Sequence, residues 1–189
     1  MRHVISALVV NEPGVLASVA GMFAARGFNI DSLVVGRTDD ANLSRMTIVV
    51  DADENTLEQV RKQLAKLVPV TSVKDYKDTD YIERDLALVT VAAGPDVRGQ
   101  IIEVVTLFGG RILDVAKESV MVELAGKEKK IEAFVELMRP YGIRELARTG
   151  VIAMLRGQQM VKEKEAVAPE GAKRKRSLDA PAAAALPPS

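Results

Sequence analysis

The chain contains no cysteine and no tryptophan. Without cysteine there are no disulfides, no thiolate metal sites and no cysteine nucleophile, as suits a reducing compartment. Aromatic residues are scarce, at 4%. The strand-like segments 43–51 and 119–125 carry none, which leaves no aromatic platform on which RNA bases could stack. Neither sign of charge predominates: Lys+Arg and Asp+Glu number 26 each, so no global field recruits nucleic acid or an anionic membrane. No apolar run approaches the roughly 20 residues of a membrane-spanning helix. The opening M-R-H-V-I-S-A-L-V-V-N-E reads as a first strand rather than a secretory signal, because its apolar run is short and ends in acidic and turn residues. The single histidine, His3, starts that strand and has no evident partner for acid–base work. No phosphate-binding loop, nucleophile elbow or dinucleotide fingerprint occurs, and no His/Asp/Glu cluster has metal-ligand spacing.

What is present is periodicity, stated twice. Segments 3–10, 29–37, 43–51 and 70–76 read as strands. Segment 14–26 carries Val15, Leu16, Val19, Met22 and Phe23 at helical spacing, and a second helix carries Leu57, Val60, Leu64 and Leu67. Asp53 or Asn55 is placed to cap that second helix, and Pro69 ends it. The order is βαββαβ. It recurs with a strand at 82–92, a helix at 96–108, a hairpin around Glu118 and Ser119, a helix at 127–139 and a last strand at 143–155. The expected fold class is therefore α+β: two tandem ferredoxin-like βαββαβ sandwiches, each a four-stranded antiparallel sheet with two helices on one face. Residues 1–77 form the first domain, K-D-T-D at 77–80 the linker, and 81–157 the second domain. From 160 to 189 the composition turns to Ala, Pro and charge, including Lys173, Arg174, Lys175 and Arg176. Such a segment buries too little apolar surface to offset its ordering entropy and is expected to be a disordered tail.

The chemistry concentrates at N-E-P-G-V-L, residues 11–16, between the first strand and the first helix. Gly14 there can take positive φ. The amides of Gly14, Val15 and Leu16 open a helix that has no obvious capping side chain, and a bare helix start attracts anions. Asn11 adds a side chain that both donates and accepts, and Asn29 opens the second strand. On spacing alone Gly14 also serves as an ordinary turn glycine and both Asn residues as turn or cap residues. The pairs Asp39/Asp40 and Asp51/Asp53 read as turn and cap residues rather than an acid–base pair. Small phosphatases of this fold use an Arg and an Asn near the first loop. Arg26 and Asn29 are available, but no motif of that kind surrounds them.

The string N-E-P-G-V-L, followed by G-M-F-A-A-R-G-F-N-I-D-S-L, T-D-D and L-S-R-M-T-I, resembles the small regulatory subunits of acetolactate synthase (acetohydroxyacid synthase), an ACT-domain family. The resemblance spans most of residues 1–76 and continues more loosely through R-T-G-V-I-A-M-L-R-G to about residue 157. It departs at Ser18, where a basic residue is frequent, and at Phe28, where Tyr is common. It implies a regulatory subunit without catalytic residues or a metal of its own, in the cytoplasm, in branched-chain amino-acid biosynthesis. It implies a homodimer through the ACT domains, with valine as effector held by Asn11, Gly14, Val15 and Leu16 of one chain against Asn29 and Ile30 of the other. The implied partner is the large catalytic subunit, carrying thiamine diphosphate, magnesium and FAD; none of these is expected on this chain. A free-standing ACT-type amino-acid sensor with a different client is the competing expectation; neither nucleic acid nor membrane is an expected partner.

Overall fold

The computed structural model describes residues 1–157. The proposed tail at 160–189, with its Lys/Arg run, lies outside the described residues. The first half of the chain runs β1 (Arg2–Val10), α1 (Val15–Ala24), β2 (Ser32–Arg37), β3 (Leu43–Asp51), α2 (Glu54–Leu64) and β4 (Val70–Asp75). Its sheet has the order β2-β3-β1-β4 and is antiparallel throughout. Alternation along β1 explains the layering. Ile5, Ala7 and Val9 point to the helices and join Val15, Val19, Met22 and Phe23 of α1 and Leu57, Val60 and Leu64 of α2 in one core. Asp53 caps α2 by accepting a hydrogen bond from the Thr56 amide at 2.7 Å.

The second half runs β5 (Tyr81–Ala92), α3 (Pro95–Leu107), β6 (Arg111–Val115), β7 (Ser119–Gly126), α4 (Glu128–Met138), a 3-10 turn (Arg139–Tyr141), β8 (Ile143–Arg148) and β9 (Ile152–Leu155). The main strand order, β6-β7-β5-β8, repeats that of the first sheet. Ala87, Val89 and Val91 of β5 meet Ile101 and Val105 of α3 and Ile131 and Phe134 of α4 in a second core. Two ferredoxin-like sandwiches are therefore present, as the periodicity predicts.

The end of the second sandwich differs from expectation. The segment 143–155 is not one strand. It breaks at Thr149, Gly150 and Val151, and Gly150 has φ +84°, a conformation that favours glycine. The reason lies in β5. Its residues from Asp85 onward pair with β7, which leaves Tyr81, Ile82, Glu83 and Arg84 without a partner in that sheet. β9 pairs with those four residues instead. The resulting ribbon lies on the face of the first sheet that is turned away from α1 and α2. There Val151 and Ala153 join Val4, Val49 and Tyr76 in a third, smaller core. Tyr76 and Tyr81 stack with ring centres 5.1 Å apart, and the Tyr76 hydroxyl donates to the Ala153 carbonyl at 3.3 Å.

Candidate functional site

The β1–α1 loop has the conformation an anion receptor needs. Gly14 sits at the N-cap with φ +84°, no side chain caps α1, and its first turn carries no acidic residue. The helix-start amides are thus left for an outside acceptor. A Cβ built on Gly14 would meet nothing within 4 Å, so the space in front of the loop is open and the glycine is required by backbone conformation rather than by crowding. Leu16, 48% exposed, projects from the first turn. A recess of about 410 Å³ flanks the loop, walled by Val10, Pro13 and Gly14 on one side and Val68 and Pro69 on the other.

Asn11 also makes contacts within its own chain. Its amide nitrogen donates to the Ala41 carbonyl at 3.1 Å, and its side-chain oxygen accepts from the Ser44 hydroxyl at 3.2 Å. Its backbone N–H donates to the Asn42 carbonyl at 2.7 Å. Asn11 therefore fastens the loop to the β2–β3 turn, with both ends of its side chain engaged. Ala41 and Ser44 are the partners that sequence reasoning missed. The turn signal T-D-D-A-N was visible, but nothing local says that it folds back onto Asn11.

Asn29 and Ile30 lie elsewhere. They precede β2, which begins at Ser32 rather than at Asn29. The Asn29 amide donates to the Asp31 carboxylate at 2.7 Å, which leaves its side-chain oxygen free to accept. The Asp31 N–H donates to the Val49 carbonyl, and Val49 pairs with Val4, near the start of β1. The Asn11 loop leaves the sheet beyond Val10, at its other end. Six strand residues separate these levels, about 20 Å at roughly 3.3 Å per residue. One chain brings Asn11, Gly14, Val15 and Leu16 together. It does not bring Asn29 and Ile30 to them.

β2 is an edge strand with one side of its ladder unpaired by any described strand. Val35, on its helix-facing side, is 43% exposed. Open edges with exposed apolar residues are templates for pairing with another chain. Among the described residues no group of three or more metal-ligating side chains occurs, and no helix is long and apolar enough to cross a membrane.

Comparison with known proteins fits this architecture. Residues 5–72 match the model of the small-subunit-like ACT domain of acetohydroxyacid synthase, and residues 84–157 match that of the small subunit of acetolactate synthase. A probable acetolactate synthase small subunit of Archaeoglobus fulgidus is 52% identical over 84% of this chain and 99% of its own length. The acetolactate synthase small subunit of Mycolicibacterium smegmatis is 46% identical over 82% of this chain and 91% of its own. The crystal structure of the acetolactate synthase small subunit from Thermotoga maritima superposes with a TM-score of 0.77 at 41% identity, covering 82% of this chain and 98% of that one. With relatives this similar along nearly their full length, and with both sandwiches matched, the chain belongs to the family of acetolactate synthase small subunits, the regulatory ACT-domain components of that enzyme.

Proposed function

We propose that this chain dimerises through its N-terminal sandwich and binds valine, or a closely related branched-chain amino acid, at the seam between two copies. The observation that carries this reading is the separation of the two half-sites. A receptor for a carboxylate stands at one end of the sheet and a polar acceptor beside an apolar side chain at the other, on either side of an unpaired edge strand. Antiparallel pairing of β2 with its copy reverses one sheet relative to the other. It carries the partner's Asn29 end toward the turn that holds Asn11.

In that assembly the amides of Gly14, Val15 and Leu16 take the carboxylate, and the Asn29 side-chain oxygen with nearby backbone carbonyls takes the ammonium. Ile30 and Leu16 cover the isopropyl group, worth roughly 1.5–3 kcal/mol when fully buried. A millimolar metabolite sensor needs only about 4 kcal/mol in total. Asn11 both positions the loop and keeps one amide N–H and one oxygen lone pair for the ligand.

The bound effector then acts on the large catalytic subunit, in the cytoplasm, by favouring one arrangement of the complex by about 1–3 kcal/mol. Thiamine diphosphate, magnesium and FAD belong to that partner, and this chain supplies activation and feedback rather than chemistry.

The test is complementation between chains. Gly14→Asp and Asn29→Ala homodimers should each lack wild-type affinity for L-valine in calorimetric titration. A tagged heterodimer of the two has one intact site and one doubly damaged site, and should bind about half the wild-type amount of ligand. A heterodimer that binds none would show that the half-sites do not meet across the seam.

A further inference from the structure

Asn29, Ile30 and Asp31 connect to something besides the sheet. On the face of β2 turned away from the helices, Ser32 and Val34 carry the bend that separates β8 from β9. The Val151 N–H donates to the Ser32 hydroxyl oxygen at 3.2 Å. A Cβ on Gly150 would lie 2.6 Å from Ser32 Oγ and 2.8 Å from Val34 Cγ2. Gly150 is thus required twice, by its positive φ and by the close approach of β2. The same bend is tied into the second sandwich. The Thr149 hydroxyl lies 3.4 Å from Asp85 Oδ1, and Arg148 donates to Asp85 from Nε at 2.8 Å and also from its terminal nitrogen. The Asp85 side chain is fully buried. Arg148 also approaches Glu128 at 3.7 Å, and Glu128 pairs at 2.6 Å with Arg2 of β1. Between these anchors is a cavity of about 320 Å³, walled by Asp31, Ser32 and Leu33 from the first sandwich and by Glu128, Arg148 and Gly150 from the second.

From this geometry we infer that the bend at Thr149, Gly150 and Val151 is the link through which the second sandwich senses the occupancy of the effector site. The inference rests on the effector reading given above. Asn29 holds Asp31 in the unliganded chain. A ligand ammonium held by the Asn29 side-chain oxygen stands beside that pair as a charged donor and competes with the Asn29 amide for the carboxylate of Asp31, which lines the cavity. β2 is the element best placed to respond, because among the described strands it pairs with β3 alone and in the dimer it forms the seam at which the ligand binds. Any displacement of Ser32 and Val34 is passed to Gly150, where no slack exists, and from there through Arg148 and Asp85 to β5.

The experiment uses the full chain reconstituted with its catalytic subunit. Gly150→Ala forces the bend off β2. Ser32→Ala removes only the hydrogen bond and keeps the fold should the bulkier change disrupt it. Binding of labelled L-valine to each complex is measured by equilibrium dialysis, and residual activity is measured at saturating valine. Both variants should bind valine within about tenfold of wild type, the range linkage allows for a typical coupling. Their activity at saturating valine should rise toward the valine-free level, more in Gly150→Ala than in Ser32→Ala. Wild-type binding with wild-type inhibition in Ser32→Ala and in folded Gly150→Ala overturns the link while leaving the effector site standing. No valine binding by the wild-type complex overturns the effector reading itself, and the link with it.

Discussion

Substitution of Gly14 by Asp separates the two roles that the glycine combines. The residue needs φ +84°, and a Cβ there meets no neighbour. The cost to folding is therefore conformational only, about 1–2 kcal/mol for a non-glycine residue in the left-handed region and less for Asp, which tolerates it. The effect on binding is electrostatic. The new carboxylate stands beside the amides that receive the ligand's carboxylate, at roughly 4 Å. Two like charges at that distance repel by about 1 kcal/mol under bulk-water screening and about 4 kcal/mol at the dielectric typical of a protein surface. Valine affinity should thus fall by about fivefold to several hundredfold. Gly14→Ala supplies the control: it carries the same or greater backbone strain without charge, and should lower thermal stability while keeping valine affinity within about threefold. Both variants would be followed by thermal unfolding and by calorimetric titration with L-valine. If Asp and Ala weaken binding equally, the shape of the turn matters and the amides are not the anion receptor. If Asp binds valine as wild type does, the loop is not part of the site.

Other expectations concern the scaffold. Arg148→Met leaves the buried Asp85 carboxylate without its cation and should destabilise the chain by about 3–5 kcal/mol in urea unfolding, whereas pairing it with Asp85→Leu should recover much of that loss. Phe134→Ala empties the centre of the second core and should cost about 3–5 kcal/mol in the same assay. On α2 the Glu58 carboxyl is held down to about 2 by hydrogen bonds from Arg61 and Lys62. Its folded value is depressed, so its stabilisation is complete above the ordinary carboxylate range, near 4, and disappears as pH falls through about 2. Glu58→Gln should therefore reduce stability at neutral pH and leave it unchanged at the acid end of a pH-resolved denaturation series.

Much of the fold was legible because its signals are local. The helical spacing of Val15, Val19, Met22 and Phe23, the cap at Asp53 and the hairpin before Ser119 each lie within a few residues of one another, and the recurrence of the same order gave the tandem architecture. The break after Arg148 was not legible. The string I-R-E-L-A-R-T-G-V-I-A-M-L carries β-prone residues on both sides of Gly150, and only the unpaired beginning of β5, some 70 residues earlier in the chain, draws its last part away. At the candidate site the sequence showed the loop glycine and the bare helix start, because proline and glycine constrain the backbone wherever they stand. It did not show that Asn11 is engaged by Ala41 and Ser44, nor that Asp85 and Arg148 form a buried pair. Each of those contacts joins residues about 30 or more positions apart.

The stacked Tyr76 and Tyr81 flank the connection between the sandwiches, and both pack under β9, the last strand described. A protease that cuts the exposed peptide at Lys77 or Asp78 should nick this protein without releasing two pieces, because the second fragment still lays its end across the first. For the same reason, a gene trimmed after residue 77 would yield a first sandwich whose outer face presents Val4, Val49 and Tyr76 to water. The position that looks most like a seam in the sequence is a poor place to divide the molecule.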